Sequence, residues 1–335
     1  MSDSGSTEPA SASHGHTLGF GCASLYALPA KRDRRAVLEF AYDLGIRHFD
    51  VAPIYGLGIA EAELGDFAQT HTDIRIATKF GMRPTPIGRF AGFIQPPIRR
   101  MLQTSSAVKS KVKQSGGAAD VGVVSRILYS PRDYSVANAR HSLVSSLRAL
   151  RTERIEYFLL HEPAGALADD NSDLVEYLET ERSRGVIGHW GPAGDPPRPD
   201  DARVAALSAR ASAFQFPYDL ITRYGGPPPE QGQPHITFGI LAEALPRVRS
   251  LLGREPEFRQ RCSDLLDADV SDPSTVVKLL VRDAVTHNQG GTVLVSSTKI
   301  ENLEMVYAGV DATFHSEAEV ASMIRDRCLA MQAAQ

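Results

Sequence analysis

Cysteine is scarce in this chain. Cys22, Cys262 and Cys328 lie far apart and form no Cys-x-x-Cys pair. A disulfide framework is thereby set aside, and free thiols in a reducing compartment are the simple reading. Long apolar runs are missing as well: no stretch of about 18 such residues occurs, so no membrane span is expected. Neither charge sign dominates, since 36 Lys and Arg stand against 40 Asp and Glu, for a net charge of -4. That balance gives no electrostatic case for nucleic acid as the main partner. The start lacks the basic and apolar segments of a signal peptide. Residues 1–16 are polar and rich in Ser, Gly and Ala, and are expected to be a flexible tail on a cytoplasmic protein. His14-Gly15-His16 has the form of a metal pair but follows no strand, so it reads as part of that tail without metal.

What is present is ample core material: 42% of the 335 residues are hydrophobic, enough for a large folded unit. Length alone suggests about two domains, although single α/β barrels routinely exceed that prior. Short apolar runs alternate with helical periodicity. The pattern predicts strands at Leu18–Cys22, His48–Val51, Ile74–Thr78, Ile155–Leu160, Val186–Trp190, Ala213–Phe216, Ile236–Leu241 and Thr292–Val295. Helices are expected at Asp33–Leu44, Ala60–Gln69, Val136–Leu150, Leu174–Arg184 and Ala202–Ala209, with another starting at Ile300. Repeated strand–helix alternation implies a parallel sheet, and eight strands are the number that closes a (β/α)8 TIM barrel. The barrel is expected over residues 17–335. Two places break the rhythm. A long insertion after strand 3, residues 83–132, carries several prolines and Lys109, Lys111 and Lys113. It reads equally as a solvated insertion or a substrate lid. An irregular segment from Tyr224 to Pro234 stands in place of helix 6, since its Gly-Gly and Pro-Pro-Pro will not form one.

Four chemically useful residues sit at strand ends or in the loops after them. Asp50 ends the second strand within Phe49-Asp50-Val51-Ala52-Pro53-Ile54-Tyr55-Gly56, and Tyr55 lies in the following loop. Lys79 follows Thr78, and His161 follows Leu160 and precedes Glu162-Pro163. In a parallel barrel these ends converge on one mouth. A phenol beside an ammonium is drawn toward phenolate, which suits proton exchange with a carbonyl oxygen. A buried ammonium needs a counter-charge, and an imidazole can orient the carbonyl. Taken singly, each residue has a bland reading as packing, cap or surface group; the ordered set is what carries information.

That set resembles the aldo-keto reductase family, which has an Asp-x-Ala-x-x-Tyr-Gly segment, a Thr-Lys strand end and a His-x-Pro strand end in this order. Gly191 after Trp190, and Gln215 within Phe214-Gln215-Phe216, continue the match, which runs from about Leu18 to Ala308. The resemblance implies hydride transfer between a nicotinamide cofactor and an aldehyde, ketone, sugar or alcohol. It implies Tyr55 as general acid/base, Lys79 as its activator, Asp50 as the partner of Lys79 and His161 as carbonyl orienter. It also implies that Gln215 meets the nicotinamide amide and that Tyr218 lies nearby. Ser296, Ser297, Thr298 and Lys299 open a helix with hydroxyls, free N–H groups and a cation. That favours a 2′-phosphate and hence NADP over NAD, with simple capping as the compatible alternative.

Gly56-Leu57-Gly58-Ile59-Ala60-Glu61 imitates a dinucleotide fingerprint, but Glu61 occupies the third glycine's place and would repel pyrophosphate. No Tyr-x-x-x-Lys motif accompanies it. Two departures from the resemblance stand out. Pro192-Ala193-Gly194 replaces the Val-Ser-Asn of many relatives, losing a hydroxyl and an amide at the carboxamide. Glu304-Met305 replaces the Glu-Asn pair that often touches adenine. These changes keep a second expectation open: a catalytically weak nucleotide-binding regulator on the same barrel, analogous to potassium-channel β subunits. A metal-dependent hydrolase ranks last, because His161 is the only convincing ligand, while His48 and His189 read as packing residues.

Overall fold

The computed structural model describes residues 18–87, 128–194, 202–223 and 234–333. Eight parallel strands close in chain order, and the last pairs with the first. They are β1 (Leu18–Gly21), β2 (His48–Asp50), β3 (Arg75–Phe80), β4 (Ile155–His161), β5 (Ile187–Ala193), β6 (Phe214–Pro217), β7 (His235–Phe238) and β8 (Thr292–Val295). The helices wrapping them are α1 (Lys31–Asp43), α2 (Ala60–Ala68), α3 (Val136–Leu150), α4 (Ser172–Ser183) and α5 (Ala202–Ser208). After β7 come α6 (Ala244–Arg254), α7 (Pro256–Leu266) and α8 (Pro273–His287), and after β8 come α9 (Ile300–Val310) and α10 (Glu317–Ala333). The expected (β/α)8 barrel is therefore the fold.

Alternation along each strand sorts the side chains, because successive residues point to opposite faces. Phe20, Phe49, Phe158 and Trp190 lie in the main core, fully buried. Ala77, Leu159, Ala193, Ala213, Ile236 and Leu294 form a separate cluster with Tyr157, which fills the barrel itself. Trp190 also donates from its indole nitrogen to Glu179 of α4 at 2.6 Å, fixing that helix on β5. Gly191 is required by close approach: a Cβ there would fall 1.8 Å from the Ala213 carbonyl oxygen on the way to β6. A third cluster, with Val248, Leu251, Cys262, Leu266, Ile324 and Cys328, cements α6, α7 and α10 outside the barrel.

Helix starts follow sequence chemistry where a cap exists. Ser135 accepts from the Asn138 amide at the start of α3, and Asp272 accepts from Ser274 ahead of Pro273 in α8. The neck of the insertion is an antiparallel bridge between Pro84 and Tyr129. Residues 88–127, which form most of the expected insertion, lie outside the described residues, as do the tail and 224–233. The described residues between Tyr218 and Arg223 contain no helix; Asp219 instead accepts from the Ile221 and Thr222 amides in a tight turn. No described helix is long and apolar enough to cross a membrane.

His48 lies inside the barrel against Tyr157, with ring centroids 5.2 Å apart. Neither of its ring nitrogens has a hydrogen-bond partner among the described residues. Burial, helped by Arg75 and Lys79, pulls its pKa down to about 3. The folded form thus keeps it neutral, while the unfolded chain takes up a proton below about pH 6.5. Stability from this group is complete above that value and falls as pH drops toward 3, by about 2 kcal/mol at pH 5. Urea titrations at pH 7 and pH 5 should show a smaller acid loss in His48→Leu than in wild type. An equal loss in both proteins would remove His48 from the account.

Candidate active site

The mouth is assembled from the C-terminal ends of the strands. Asp50 is the last residue of β2, and the chain then turns through Tyr55–Gly58. Gly56 and Leu57 adopt left-handed backbone, with φ of 59° and 57°. At Gly56 the Tyr26 ring leaves no room for a side chain, since a Cβ would lie 2.4 Å from it. The turn aims Tyr55 back over the barrel. Behind it, Glu61 of α2 is buried and accepts from the Thr78 hydroxyl at 2.7 Å. The glutamate that spoils the fingerprint thus ties α2 to β3 next to Lys79.

Lys79 is almost wholly enclosed. Its ammonium donates to Asp50 Oδ1 at 2.6 Å, to the Val51 carbonyl at 3.2 Å and to Tyr55 Oη at 3.4 Å. The second carboxylate oxygen of Asp50 accepts from Gln215 Nε2 at 2.8 Å. Burial alone would pull the Lys79 ammonium down; Asp50 and Tyr55 outweigh it and hold it above its ordinary value. Burial pushes the Tyr55 phenol up; Lys79 pulls it down without cancelling that rise, and Asp50 adds to it. The phenol is therefore protonated at neutral pH, so the expected lowering by Lys79 is real as a contribution and smaller than the effect of burial.

His161 ends β4 and stands perpendicular to Tyr55, with ring centroids 6.2 Å apart. Burial, together with Lys79 and Arg132, pulls its pKa down to about 3, so the imidazole is neutral. The Tyr134 hydroxyl donates to the His161 carbonyl, and the Glu162 amide donates to Ala193 of β5 at 2.6 Å. These two bonds fix the strand end. Glu162 itself has a φ of 54° and pairs with Arg132 at 2.5 Å beside the opening.

Asp50, Tyr55, Lys79, His161 and Gln215 all line one cavity of about 830 Å³. Its far part is apolar, walled by Leu241, Leu245, Pro273, Leu303, Met305 and Val306, with Arg249 and Asn302 as polar members. Ser296 and Ser297 also line it. Ser296 donates to the Gly21 carbonyl at 2.8 Å and meets Ser24 at 2.5 Å, joining the β1 and β8 ends. Ser297 accepts from the Lys299 amide at 3.0 Å. Thr298 and the exposed Lys299 stand beyond the wall, where α9 begins.

Tyr218 is not at the mouth. Its ring stacks on His287 of α8 at 4.5 Å, and its hydroxyl donates to Asp283 at 2.5 Å. The reason is alternation: Gln215 faces inward, so a residue three places on faces outward. Phe238, at the end of β7, is an aromatic residue that does line the cavity, besides Tyr55. Sequence reasoning also missed Arg249 and Asn302. The apolar spacing of Ala244, Val248, Leu251 and Leu252 was the available signal for the helix carrying Arg249. Among the described residues, no three His, Cys, Asp or Glu side chains converge as a metal ion requires.

Comparison with known proteins settles the lineage. The model of the Aldo/keto reductase family matches residues 17–223. This chain belongs to the aldo/keto reductase family. It is 33% identical over 193 residues to D-threo-aldose 1-dehydrogenase of a Pseudomonas species, covering 54% of this chain and 52% of that one. It is 42% identical over 84 residues to pyridoxal 4-dehydrogenase of Microbacterium luteolum, covering 24% of each. In these alignments the chain spans about half or less of the length of the curated relatives it matches. Among solved structures, the aldo-keto reductase from Klebsiella pneumoniae in complex with NADPH superposes with a TM-score of 0.60 at 18% identity, covering 92% of this chain and 91% of that one. The holo form of an aldo-keto reductase from Bacillus halodurans gives 0.61 at 21% identity over the same shares. Likeness at that identity speaks to the fold.

Proposed function

We propose that this aldo/keto reductase is a nicotinamide-dependent oxidoreductase that interconverts a carbonyl and an alcohol, with Tyr55 as its general acid/base. The observation carrying this reading is the Lys79 ammonium, 2.6 Å from Asp50 and 3.4 Å from Tyr55, at the wall of a cavity that His161 also lines. In reduction, the protonated Tyr55 donates to the carbonyl oxygen as negative charge develops there. Lys79 stabilises the phenolate left behind, and Asp50 keeps Lys79 charged in a buried place. His161, being neutral, hydrogen-bonds and orients the carbonyl oxygen instead of supplying the proton. In oxidation, the same phenolate takes the alcohol proton.

The wall fits a dinucleotide. Gln215 has an amide oxygen with no hydrogen-bond partner among the described residues, and Phe238 offers an aromatic face. The apolar part between α6 and α9 suits an adenine ring, with Asn302 beside it. A bound nicotinamide would supply or accept the hydride. Arg249 lines the cavity and forms no ion pair among the described residues, and this unpaired cation supports NADP over NAD. Arg249→Ala should weaken NADPH binding about tenfold or more while changing NADH binding far less. Equal losses for both cofactors, measured by fluorescence quenching, would place Arg249 elsewhere. Relatives named for an aldose, pyridoxal and L-glyceraldehyde 3-phosphate support small hydroxylated aldehydes and their alcohols as the substrate class.

The test is loss of NADPH absorbance in the presence of a panel of aldehydes, ketones and aldoses, in both directions. Turnover supports the reading. Tight cofactor binding without turnover on the panel would favour the second reading, a nucleotide-binding regulator. Its motive is Ala193-Gly194, which lines the cavity with neither hydroxyl nor amide side chain.

A further inference from the structure

Gln215 is buried at 4% exposure inside the barrel mouth, and its amide serves two sides. A carboxylate can only accept, so the atom facing Asp50 Oδ2 at 2.8 Å must be the amide nitrogen. The amide oxygen has no partner among the described residues, and the residue lines the cavity. Gln215 is itself fixed by β-sheet bonding: it pairs with Ala193 of β5 and Ile236 of β7, and its carbonyl accepts from the Gly194 amide at 3.1 Å. Asp50 is thereby held from two strands at once, by Lys79 on β3 through one oxygen and by Gln215 on β6 through the other.

We infer that Gln215 is a positioning residue for the acid–base group: its amide nitrogen holds Asp50 so that Lys79 is shared between Asp50 and Tyr55. The inference rests on the oxidoreductase reading above and deepens it. The physical argument concerns competition for one ammonium. Lys79 lies 2.6 Å from Asp50 and 3.4 Å from the phenol. A donor on the far oxygen drains charge from the carboxylate and weakens its hold on Lys79. Without that donor, Asp50 draws Lys79 closer, the phenol loses cationic support, and its ionisation moves to higher pH. The other groups facing Tyr55 cannot substitute. His161 across from it is neutral, and Cys22, in the segment after β1, is a buried thiol that burial keeps protonated. In this chain Gln215 carries the task without help from Pro192-Ala193-Gly194, which brings no side-chain donor to Asp50.

The experiment uses cofactor-free protein labelled with fluorotyrosine, whose phenol ionises nearer neutrality, read by fluorine NMR. Residue 55 is assigned as the resonance absent from Tyr55→Phe, one of ten tyrosines. Gln215→Met should raise the midpoint of that resonance by about half a pH unit or more. In an Asp50→Asn background the same substitution should have no effect, because there is no carboxylate left to hold. If Gln215→Met does not fold, Gln215→Asn, one methylene too short, makes the same test. An unmoved or lowered midpoint, or a shift that persists without Asp50, overturns the inference. The measurement needs no turnover. Failure to oxidise NADPH would sink the reaction and leave this shift standing, whereas normal turnover with an unmoved phenol sinks only the role of Gln215.

Discussion

Replacing Tyr55 with Phe is expected to lower turnover by about 10²- to 10⁴-fold, the usual contribution of a positioned proton donor. The cofactor should bind as before, because the substitution removes one oxygen and leaves the ring against His161 in place. Lys79 would lose its longest contact, at 3.4 Å, and keep Asp50 and the Val51 carbonyl. Stability should therefore change little, and the defect should appear in kcat with NADPH affinity unaltered. Turnover within threefold of wild type would mean that another group donates the proton. His161 also faces the cavity, but its low pKa argues against it as that donor.

Lys79→Met should have the larger total effect, because it acts on both activity and fold. Lys79 and Asp50 are each close to fully buried, so removing the ammonium strands a carboxylate in the barrel. Breaking such a pair by one partner costs about 3–5 kcal/mol, more than either charge would contribute at the surface. Turnover should fall by at least about 10²-fold as the phenolate loses its stabiliser. The double variant Asp50→Asn/Lys79→Met separates the two effects: chemical denaturation should show most of the stability returned, and activity should stay lost. If the double variant is as unstable as Lys79→Met alone, the buried-charge argument is wrong.

Much of this molecule was legible in its residues. Eight strands were predicted and all eight form, because each carries a short apolar run bounded by turn residues. Their edges moved. β2 is only three residues long, and β4 and β5 run on to His161 and Ala193, past the apolar stretch, because pairing in a closed barrel continues to the mouth. The helices between β7 and β8 were missed. α6 has no side-chain cap and takes Pro246 into its first turn, so it announces itself weakly. α8 carries the Asp272-Pro273 start that a capping rule would have found.

That Asp50, Tyr55, Lys79 and His161 meet at one cavity was readable because each lies at or just after the C-terminal end of a strand. Tyr218 shows where that logic needs a second step. Alternation counted from Gln215 turns it outward. Residues on neighbouring elements were harder. Arg249 reaches the cavity from a helix, and nothing in its local sequence marks that approach. The pairing of Gln215 with Asp50 joins residues 165 positions apart and is a property of strand neighbourhood in the closed barrel.

The most direct test follows the hydrogen itself. The protein is incubated with NADPH deuterated at the transferable position and a panel of hydroxylated aldehydes, and the products are examined by mass spectrometry. Deuterium should appear on the former carbonyl carbon with wild type and fall to a trace with Tyr55→Phe. Cofactor that binds yet delivers no deuterium to any aldehyde, or delivery that is as fast without the Tyr55 hydroxyl, would contradict the account.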